Sequence, residues 1–575
     1  MEKQAMKRLI AVAAGREKAD LVLKNAKIVN VFAQTVEEGD VAIAGNRIAG
    51  IGRYEGIQEI DCEGKTLIPG LIDAHMHIES AQLTPEELAC AVLPHGTTTL
   101  IADPHEIANV CGTAGMEYLA NACAGTPLTV KFMFPSCVPA TPYENSGAVL
   151  DAAAVKEHLS DLYIHGLGEF MNYPGVIGGA EDDVEKLCLA ASRGMTVDGH
   201  APSLTGKELN AYLCGGISTD HECVEKEEIE EKLARGMYVH LREGSATRNA
   251  AKNAAAVNER NMRRFLLCTD DRHPCDIVKN GHIDNILRIL VQEGVDPVAA
   301  VTMGTLNAAE CYSLKNLGAI APFYLADVVC VEDLVSFRAA FVLKNGKLAA
   351  KDGRALFSCE KKIDPRVLNT VHIGSLKKED FDLVSRSENV KVIRLLPKNV
   401  VTEKIVRKVS LQEGKAEIAG TDLLKLAVVE RHKATGNVGL GLIEGYGLKN
   451  GAIALTVSHD SHNVIVLGDT SENMYAAVRE IERIGGGMVL AENGKIADEL
   501  PLEIAGLMSR LPIGEFESRL QRMIKKAHDM GVSAELEPFM SLSFLALVVI
   551  PELKITDRGL FDVKKFAFTP IEAEG

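Results

Sequence analysis

The chain has 575 residues, of which 47% are hydrophobic and 25% charged, so it is long enough for several domains and has the composition of a globular protein. Its formal net charge of -17 predicts a surface that repels polyphosphates and anionic membranes, which argues against nucleic-acid and membrane partners. The 13 cysteines include no Cys-x-x-Cys pair, and we expect them to be reduced thiols of a cytoplasmic protein.

The first predicted elements are a helix and part of a small β-sandwich. Residues 1–18 are expected to form an amphipathic helix, because their apolar run is too short for a signal peptide. Residues 19–68 contain short alternating strands with turn residues between them. Strand patterns that would complete the sandwich return only at residues 323–358, so this domain is predicted to be split around an insertion.

The inserted segment, residues 69–322, alternates strand and helix patterns. Eight β/α units in about 250 residues are typical of an α/β fold, the (β/α)8 TIM barrel. The strand candidates are residues 71–79, 97–103, 128–136, 162–170, 195–201, 216–222, 237–243 and 264–271.

Residues 359–575 are predicted to form a C-terminal α+β domain. Their strands and helices are mixed, and about 200 residues suffice for an independent domain. The polar run 458–463 has two interpretations, an ordinary polar turn or a segment that closes over the mouth of the barrel.

Polar residues cluster where the predicted barrel strands end, which is the end that carries the chemistry in this fold. His75 and His77 are two residues apart, a spacing that presents both rings on one side of an extended strand. The other strand ends contribute Asp103, His105, Glu169, His200, His221, Arg242, Glu243, Asp270 and Asp271.

Imidazoles and carboxylates from several strands are the ligands that a hydrolytic metal centre requires. Two metal ions also need a bridging anion. The fourth strand contains no lysine that could be carboxylated, so Glu169 is the natural bridge and Lys131 on the third strand is the alternative.

Each of these residues also has an ordinary structural interpretation. His200 could be a hydrogen-bonded core histidine, and His221 could pair with Asp220 or Glu222 on a solvated loop. Asp270 could be the N-cap of the helix that follows. The joint occurrence of all of them at strand ends favours the metal site.

Asp103 and His105 lie next to the first strand and have two interpretations. They could support or supplement the metal ligands, since ligating histidines need hydrogen-bond partners of their own. Alternatively, Asp103 could be the N-cap of a helix that starts at Glu106. Arg242 could face a substrate or pair with the neighbouring Glu243.

Several segments resemble known hydrolases. Pro69-Gly-Leu-Ile-Asp-Ala-His-Met-His, Gly318-Ala-Ile-Ala-Pro and the split sandwich resemble the amidohydrolase superfamily of metal-dependent hydrolases. Four more specific runs closely resemble bacterial-type adenine deaminases over nearly the whole chain. They are Ala102-Asp-Pro-His-Glu-Ile-Ala-Asn-Val, Leu241-Arg-Glu-Gly-Ser, Cys268-Thr-Asp-Asp-Arg-His-Pro and Val457-Ser-His-Asp-Ser-His-Asn.

This resemblance implies hydrolysis of adenine to hypoxanthine and ammonia in purine metabolism, at two divalent metal ions. Manganese or iron is favoured and zinc is possible. His75, His77, Glu169 and Asp270 would hold one ion, and Glu169, His200 and His221 the other.

The resemblance also implies roles in the reaction. Asp270 would act as general acid and base, with Glu169 and His221 as further catalytic residues. A homo-oligomer is expected. The residues expected to bind the substrate are Asp103, His105, Arg242, Glu243, Ser245, His459 and Asp460.

Other functions remain as alternatives. Another amidohydrolase, acting on a cyclic amide or an aminated heterocycle, would use the same ligands, because the pocket loops determine the substrate. A non-catalytic scaffold barrel is the alternative outside enzymes. The unrelated zinc nucleobase deaminases are excluded, since they need Pro-Cys-x-x-Cys and here Pro274-Cys275 is followed by Asp-Ile-Val.

Overall fold

The structure is a computed structural model that describes residues 2–396 and 400–573. The chain begins with helix α1 (Lys3–Ala13), which buries Leu9 and Val12 against a β-sheet. All 13 cysteines are free thiols. The first strands of the sheet are β1 (Ala19–Asn30), β2 (Thr35–Ala44), β3 (Arg47–Gly52), β4 (Gly56–Asp61) and β5 (Thr66–Pro69).

A barrel of parallel strands follows, and the (β/α)8 prediction is confirmed. The eight strands are β6 (Leu71–Met76), β7 (Thr97–Ala102), β8 (Thr129–Phe134), β9 (Ile164–Phe170), β10 (Thr196–Gly199), β11 (Thr219–Asp220), β12 (Tyr238–Arg242) and β13 (Phe265–Cys268). The helices around them are α2 (Pro85–Val92), α3 (His105–Cys111), α4 (Thr113–Cys123), α5 (Ala152–His158), α6 (Tyr173–Gly178), α7 (Glu181–Ser192), α8 (Gly206–Cys214), α9 (Lys226–Ala234), α10 (Ala250–Ala254), α11 (Pro274–Asn280), α12 (Ile283–Gln292), α13 (Pro297–Thr302) and α14 (Ala308–Cys311).

The barrel closes through backbone hydrogen bonds at two points. The Asp270 N–H donates to the His75 carbonyl at 3.0 Å, which joins the last strand to the first. The Ser218 N–H donates to the Val197 carbonyl at 3.0 Å, which joins the two halves of the sheet. Seven of the eight observed strands end earlier than predicted, and β9 ends at Phe170 as predicted, because many polar residues at the carboxyl ends lie in loops rather than in the ladder.

The sheet that precedes the barrel is completed after it. Strand β14 (Val328–Val331) pairs antiparallel with β5, with Val328 opposite Pro69. The strands that follow are β15 (Ala339–Lys344), β16 (Lys347–Lys351) and β17 (Arg354–Ala355). Over the described residues, no helix is both long enough and apolar enough to cross a bilayer.

The C-terminal part contains an eight-stranded sheet and smaller pieces. Its strands are β18 (Asn389–Leu395), β19 (Thr402–Lys408), β20 (Ser410–Gln412), β21 (Lys415–Glu417), β22 (Leu423–Val429), β23 (Val438–Glu444), β24 (Gly451–Leu455), β25 (Val464–Gly468), β26 (Gly487–Glu492), β27 (Lys495–Pro501), β28 (Leu553–Thr556), β29 (Gly559–Asp562) and β30 (Ala567–Phe568). Its helices are α15 (Ser471–Ile484), α16 (Ile513–Asp529) and α17 (Pro538–Ser543).

The C-terminal part docks onto the barrel loop between β8 and α5. Asn145 Nδ2 in this loop donates to Asp557 Oδ2 at 2.6 Å, and Asn463 Nδ2 donates to the Asn145 carbonyl at 2.7 Å. The Asn463 contact places the turn between β24 and β25 against the carboxyl ends of the barrel strands.

Candidate metal centre

Six predicted ligands from five strands meet at the carboxyl end of the barrel. His75 lies on β6 and Glu169 on β9, and the other four follow the ends of their strands. Five of the six side chains are buried, and His200, with 20% of its side chain exposed, is the most accessible. The six are His75, His77, Glu169, His200, His221 and Asp270.

One oxygen of Glu169 faces the first strand and the last. His77 Nε2 lies 3.5 Å from Glu169 Oε1 and 3.0 Å from Asp270 Oδ1. His75 Nε2 is slightly farther away, 3.8 Å from Glu169 Oε1 and 3.9 Å from Asp270 Oδ1. These four side chains therefore surround one small volume with two imidazole nitrogens and two carboxylate oxygens.

The other oxygen of Glu169 faces strands β10 and β11. Glu169 Oε2 lies 2.8 Å from His200 Nδ1 and 3.2 Å from His221 Nε2. The two ring nitrogens are 3.3 Å apart. Separations near 3 Å are those of neighbouring ligand atoms that share one ion at bond lengths of about 2.1 Å.

The donor chemistry fits two divalent cations. His75 is fully buried, and neither of its ring nitrogens has a hydrogen-bond partner among the described residues. His77 Nδ1 donates to the Asp103 carbonyl at 2.9 Å, which leaves the lone pair on Nε2. Burial alone would raise the pKa of Glu169, but His221 and His200 hold that pKa well below its usual value. The Glu169 side chain is therefore a carboxylate rather than a carboxylic acid, as a bridging ligand would need to be.

Asp103 supports Glu169 rather than a helix end. Its Oδ2 accepts a hydrogen bond from the Glu169 N–H at 2.8 Å, while Ser136 Oγ donates to the Glu169 carbonyl at 2.6 Å. Helix α3 begins at His105 after Pro104, without a side-chain cap, so the N-cap interpretation of Asp103 is wrong. Two hydrogen bonds thus hold the backbone of the central glutamate.

Arg242 points toward the centre and does not pair with Glu243. Its Nη1 bonds to both Asp270 Oδ2 and Glu222 Oε1, and its Nη2 donates to Glu222 Oε2 at 3.0 Å. Helix α11 begins at Pro274, after His273 as N-cap residue, so Asp270 is not the N-cap either. Burial would raise the pKa of Asp270, but Arg242 and His77 outweigh it and hold this pKa well below its usual value.

Two carboxylates beside the centre, the buried Asp198 and the partly buried Glu222, were not predicted as site residues. Glu222 Oε1 lies 3.8 Å from the nearest ring nitrogens of both His200 and His221. Asp198 Oδ2 lies 4.0 Å from His75 Nδ1, and Asp198 Oδ1 accepts from Tyr312 at 2.8 Å. Both could have been found in the sequence, because each is a carboxylate within two residues of a predicted ligand.

The C-terminal part contributes His459 and Asp460. His105 Nδ1 lies 3.4 Å from Glu169 Oε1, and His105 Nε2 lies 4.0 Å from Asp460 Oδ1. His459 Nδ1 lies 3.3 Å from Glu106 Oε1 on the barrel. All six residues of the run 458–463 are buried, so this run is a turn that faces the barrel mouth and not an ordinary solvated one.

Glu106, His459 and His462 form a further buried group beside the centre. His462 Nδ1 accepts a hydrogen bond from the Ser458 N–H at 3.1 Å. The neutral ring must then carry its proton on Nε2, which leaves that atom no lone pair for a cation. We therefore do not interpret this group as a further metal site.

Two predicted substrate-binding residues have other partners. Ser245 Oγ accepts from the His273 N–H at 2.9 Å and bonds to Asp276, and Ser245 lines a cavity of about 670 Å³. Glu243 precedes it on the same loop, and its carbonyl accepts from Arg272 Nη1. The contacts of both residues lead away from the six candidate ligands.

Comparisons with known proteins agree with this architecture. Residues 66–349 match the family model described as the amidohydrolase family, and residues 399–567 match that of the adenine deaminase C-terminal domain. An adenine deaminase of Nitratidesulfovibrio vulgaris (strain DP4) is 51% identical over 564 residues, covering 98% of each chain. The adenine deaminase of Clostridium acetobutylicum is 49% identical over 97% of this chain and 99% of its own. That of Geobacillus kaustophilus is 44% identical over 98% of each.

Proposed function

The chain belongs to the adenine deaminase family of the amidohydrolase superfamily, and on that premise we propose that it hydrolyses adenine to hypoxanthine and ammonia at two divalent metal ions. One observation carries the metal arrangement. Glu169 Oε1 faces His75, His77 and Asp270, while Glu169 Oε2 lies within 3.2 Å of nitrogens on His200 and His221.

In this proposal, Glu169 would contribute to binding both ions. His75, His77, Glu169 and Asp270 would hold the first ion, and Glu169, His200 and His221 would hold the second. When bound, the ions supply Lewis-acid activation of water at neutral pH. Hydrogen bonds from the Glu169 N–H to Asp103 and from Ser136 to the Glu169 carbonyl keep the bridging side chain in place.

Asp270 is the proposed general acid and base. It contacts His77 on one oxygen and Arg242 on the other, so its carboxylate is ionised and oriented. From there it takes a proton from the attacking water and passes it to the departing amine, a role usually worth about 10² to 10⁴ in rate. Glu169, beside Asp270, and His221, at the other oxygen of Glu169, complete the catalytic set.

The proposal extends to the identity of the metal. Mixed imidazole and carboxylate ligands suit several divalent transition metals. We favour manganese or iron, with zinc possible, because the family resemblance favours them. Reconstitution of the chelated protein with each metal in turn, followed by the rate of ammonia release, ranks the three.

The proposed function is tested by metal content and ammonia release from adenine. The metal-loaded protein should bind two ions per chain and deaminate adenine, while the chelated protein serves as the inactive control. Turnover of cytosine or a cyclic amide, but not of adenine, would favour another amidohydrolase. An inert protein with both ions bound would favour the scaffold alternative. The expected homo-oligomer stays a prediction that sedimentation velocity checks.

A further inference from the structure

Asp460 is a buried carboxylate with one oxygen that accepts no hydrogen bond from the described residues. The residue is 3% exposed, and among the described residues its Oδ2 has no hydrogen-bond partner. Its Oδ1 lies 4.0 Å from both His105 Nε2 and His459 Nδ1, beyond hydrogen-bonding distance. Buried carboxylates are costly unless donors reach them, so this oxygen is available to accept a hydrogen bond from a ligand.

The turn that carries Asp460 is tied down on both sides. The His459 N–H donates to the Ser543 carbonyl at 2.9 Å, and Asn463 Nδ2 donates to the Asn145 carbonyl at 2.7 Å. Ser461 Oγ also bonds to Glu144 on the barrel. The carboxylate is therefore held at the barrel mouth rather than on a segment that is free to turn toward solvent.

The position of Asp460 relative to Glu169 indicates which end of the substrate Asp460 would contact. His105 lies between them, with Nδ1 3.4 Å from Glu169 Oε1 and Nε2 4.0 Å from Asp460 Oδ1. One imidazole ring thus separates the two carboxylates, which places Asp460 at the edge of the centre rather than among the six candidate ligands. The amine-bearing carbon of adenine must face Glu169 and Asp270 for hydrolysis, so its imidazole N–H is the donor that points away from them.

We propose that Asp460 of the C-terminal part accepts the imidazole N–H of adenine and thereby selects the free base over N9-substituted purines such as nucleosides. The inference rests on the proposed adenine deaminase function and adds a specificity determinant to it. A nucleoside lacks this N–H and would leave the buried carboxylate unpaired. Sites built to bind a substrate N–H reject analogues without it far more strongly than apolar pockets reject an extra methyl group.

The test measures kcat/KM of the metal-loaded protein for adenine and for 9-methyladenine. Wild type should prefer adenine by about 100-fold or more. Asp460→Ala should lose most of that rate on adenine, yet change by no more than a few-fold on 9-methyladenine. Asp460→Asn, which keeps the volume, is the second variant, and the bound metal per chain reports whether each variant keeps its centre.

Asp557→Asn is the matched control. Asp557 is also a buried carboxylate between the two parts of the chain, but it already accepts from the Asn145 N–H at 3.0 Å and from Asn145 Nδ2 at 2.6 Å. This variant should not change the ratio of the two substrates.

Two outcomes would overturn only the inference about Asp460. One is a wild type that deaminates 9-methyladenine as fast as adenine, which needs no variant to observe. The other is an equal loss on both substrates in the Asp460 variants while two ions remain bound. A metal-loaded wild type that releases no ammonia from adenine would instead overturn the proposed function, and the inference with it.

Discussion

Two groups of buried charged side chains lie close together in the barrel. They differ in how many of their polar atoms have a hydrogen-bond or ion-pair partner. Around Glu169, the ring nitrogens of His75 and Nδ1 of His221 lack partners among the described residues. Lys232 on α9 is fully buried as well, but its Nζ contacts Asp220 Oδ2 and Glu228 Oε1, both at 2.6 Å, and donates to a carbonyl at 2.7 Å.

This difference separates charged groups that stabilise the fold from charged groups that would bind a ligand. Burial would raise the pKa of Asp220, but Lys232 outweighs burial and lowers that pKa to about 2, so the pair stays ionised. The Lys232 group is complete without any ligand. In the Glu169 group, candidate ligand atoms lie near 3 Å from one another, and several buried ring nitrogens have no partner among the described residues. Bound cations would supply the missing partners.

The largest expected effect comes from Glu169→Gln. We expect at least about a 10³-fold loss of adenine deamination and the loss of at least one bound ion, because an amide is a poor bridge between two cations. Stability of the metal-free protein should also fall, since the amide loses the charge that pairs with His200 and His221 in the absence of metal. Ammonia release, metal content and urea unfolding measure the three quantities.

Glu228→Gln is the matched control for Glu169→Gln. Glu228 is buried and bonded to Lys232, yet it belongs to the complete group. Its substitution should lower the free energy of unfolding while activity per folded molecule stays near that of wild type. Equal losses of activity in Glu228→Gln and Glu169→Gln would contradict the distinction between the two groups.

The next effect in size is the loss of stability in Lys232→Met. Removing this cation leaves Asp220 and Glu228 as buried carboxylates without their partner, which typically costs about 3–5 kcal/mol. Urea unfolding of the metal-free protein measures the cost. Lys226→Met is the control, because Lys226 forms an exposed ion pair with Glu230 at 3.7 Å and should change stability by less than about 1 kcal/mol. Equal losses in both variants would contradict the distinction.

A smaller effect is expected from Arg242→Lys, where the two kinds of group meet. Arg242 bonds to the proposed catalytic Asp270 and to Glu222. Lysine keeps the charge but not the two-pronged contact, and loss of such a supporting partner typically lowers activity or metal affinity by about 10- to 100-fold. Steady-state kinetics with metal titration checks this. Unchanged kinetics combined with reduced stability would place Arg242 among the purely structural charges.

The sequence predicts the barrel and its ligands because both follow local rules. Each ligand lies within a few residues of a strand end, and parallel strands in a barrel bring those ends together. His77 and Asp270 therefore meet although nearly two hundred residues separate them. The alternative in which Arg242 pairs with the adjacent Glu243 was wrong, since successive residues along an extended segment point to opposite sides.

The position of Asp460 could not be predicted in the same way. It depends on how the C-terminal part docks onto the barrel, through contacts such as Asn463 with Asn145 and Asp557 with Asn145. No periodicity in the chain encodes that docking. The polar run 458–463 carried the signal, but a polar run is equally typical of an exposed turn.

The last comparison concerns Lys554, a buried cation whose partners among the described residues are neutral. Lys554 is fully buried, and its Nζ donates to the carbonyls of Val400 and Phe544 at 2.9 and 3.0 Å. Burial lowers its pKa from 10.5 to about 7. Unlike Lys232, Lys554 has hydrogen-bond acceptors but no oppositely charged partner among the described residues. It therefore tests whether neutral acceptors alone are enough to keep a buried side chain charged.

The pH dependence of unfolding gives the answer. Between pH 7 and about 10 the unfolded chain binds a proton at Lys554 that the folded chain does not, so rising pH stabilises the fold by up to about 1.4 kcal/mol per pH unit. Below pH 7 both states are protonated and the cost of burying the charge is complete. Lys554→Met should remove this rise and stabilise the protein most below pH 7. Urea unfolding of wild type and variant at pH 6, 8 and 9.5 measures both slopes, and parallel slopes would mean that the two carbonyls keep Lys554 charged as effectively as carboxylates keep Lys232.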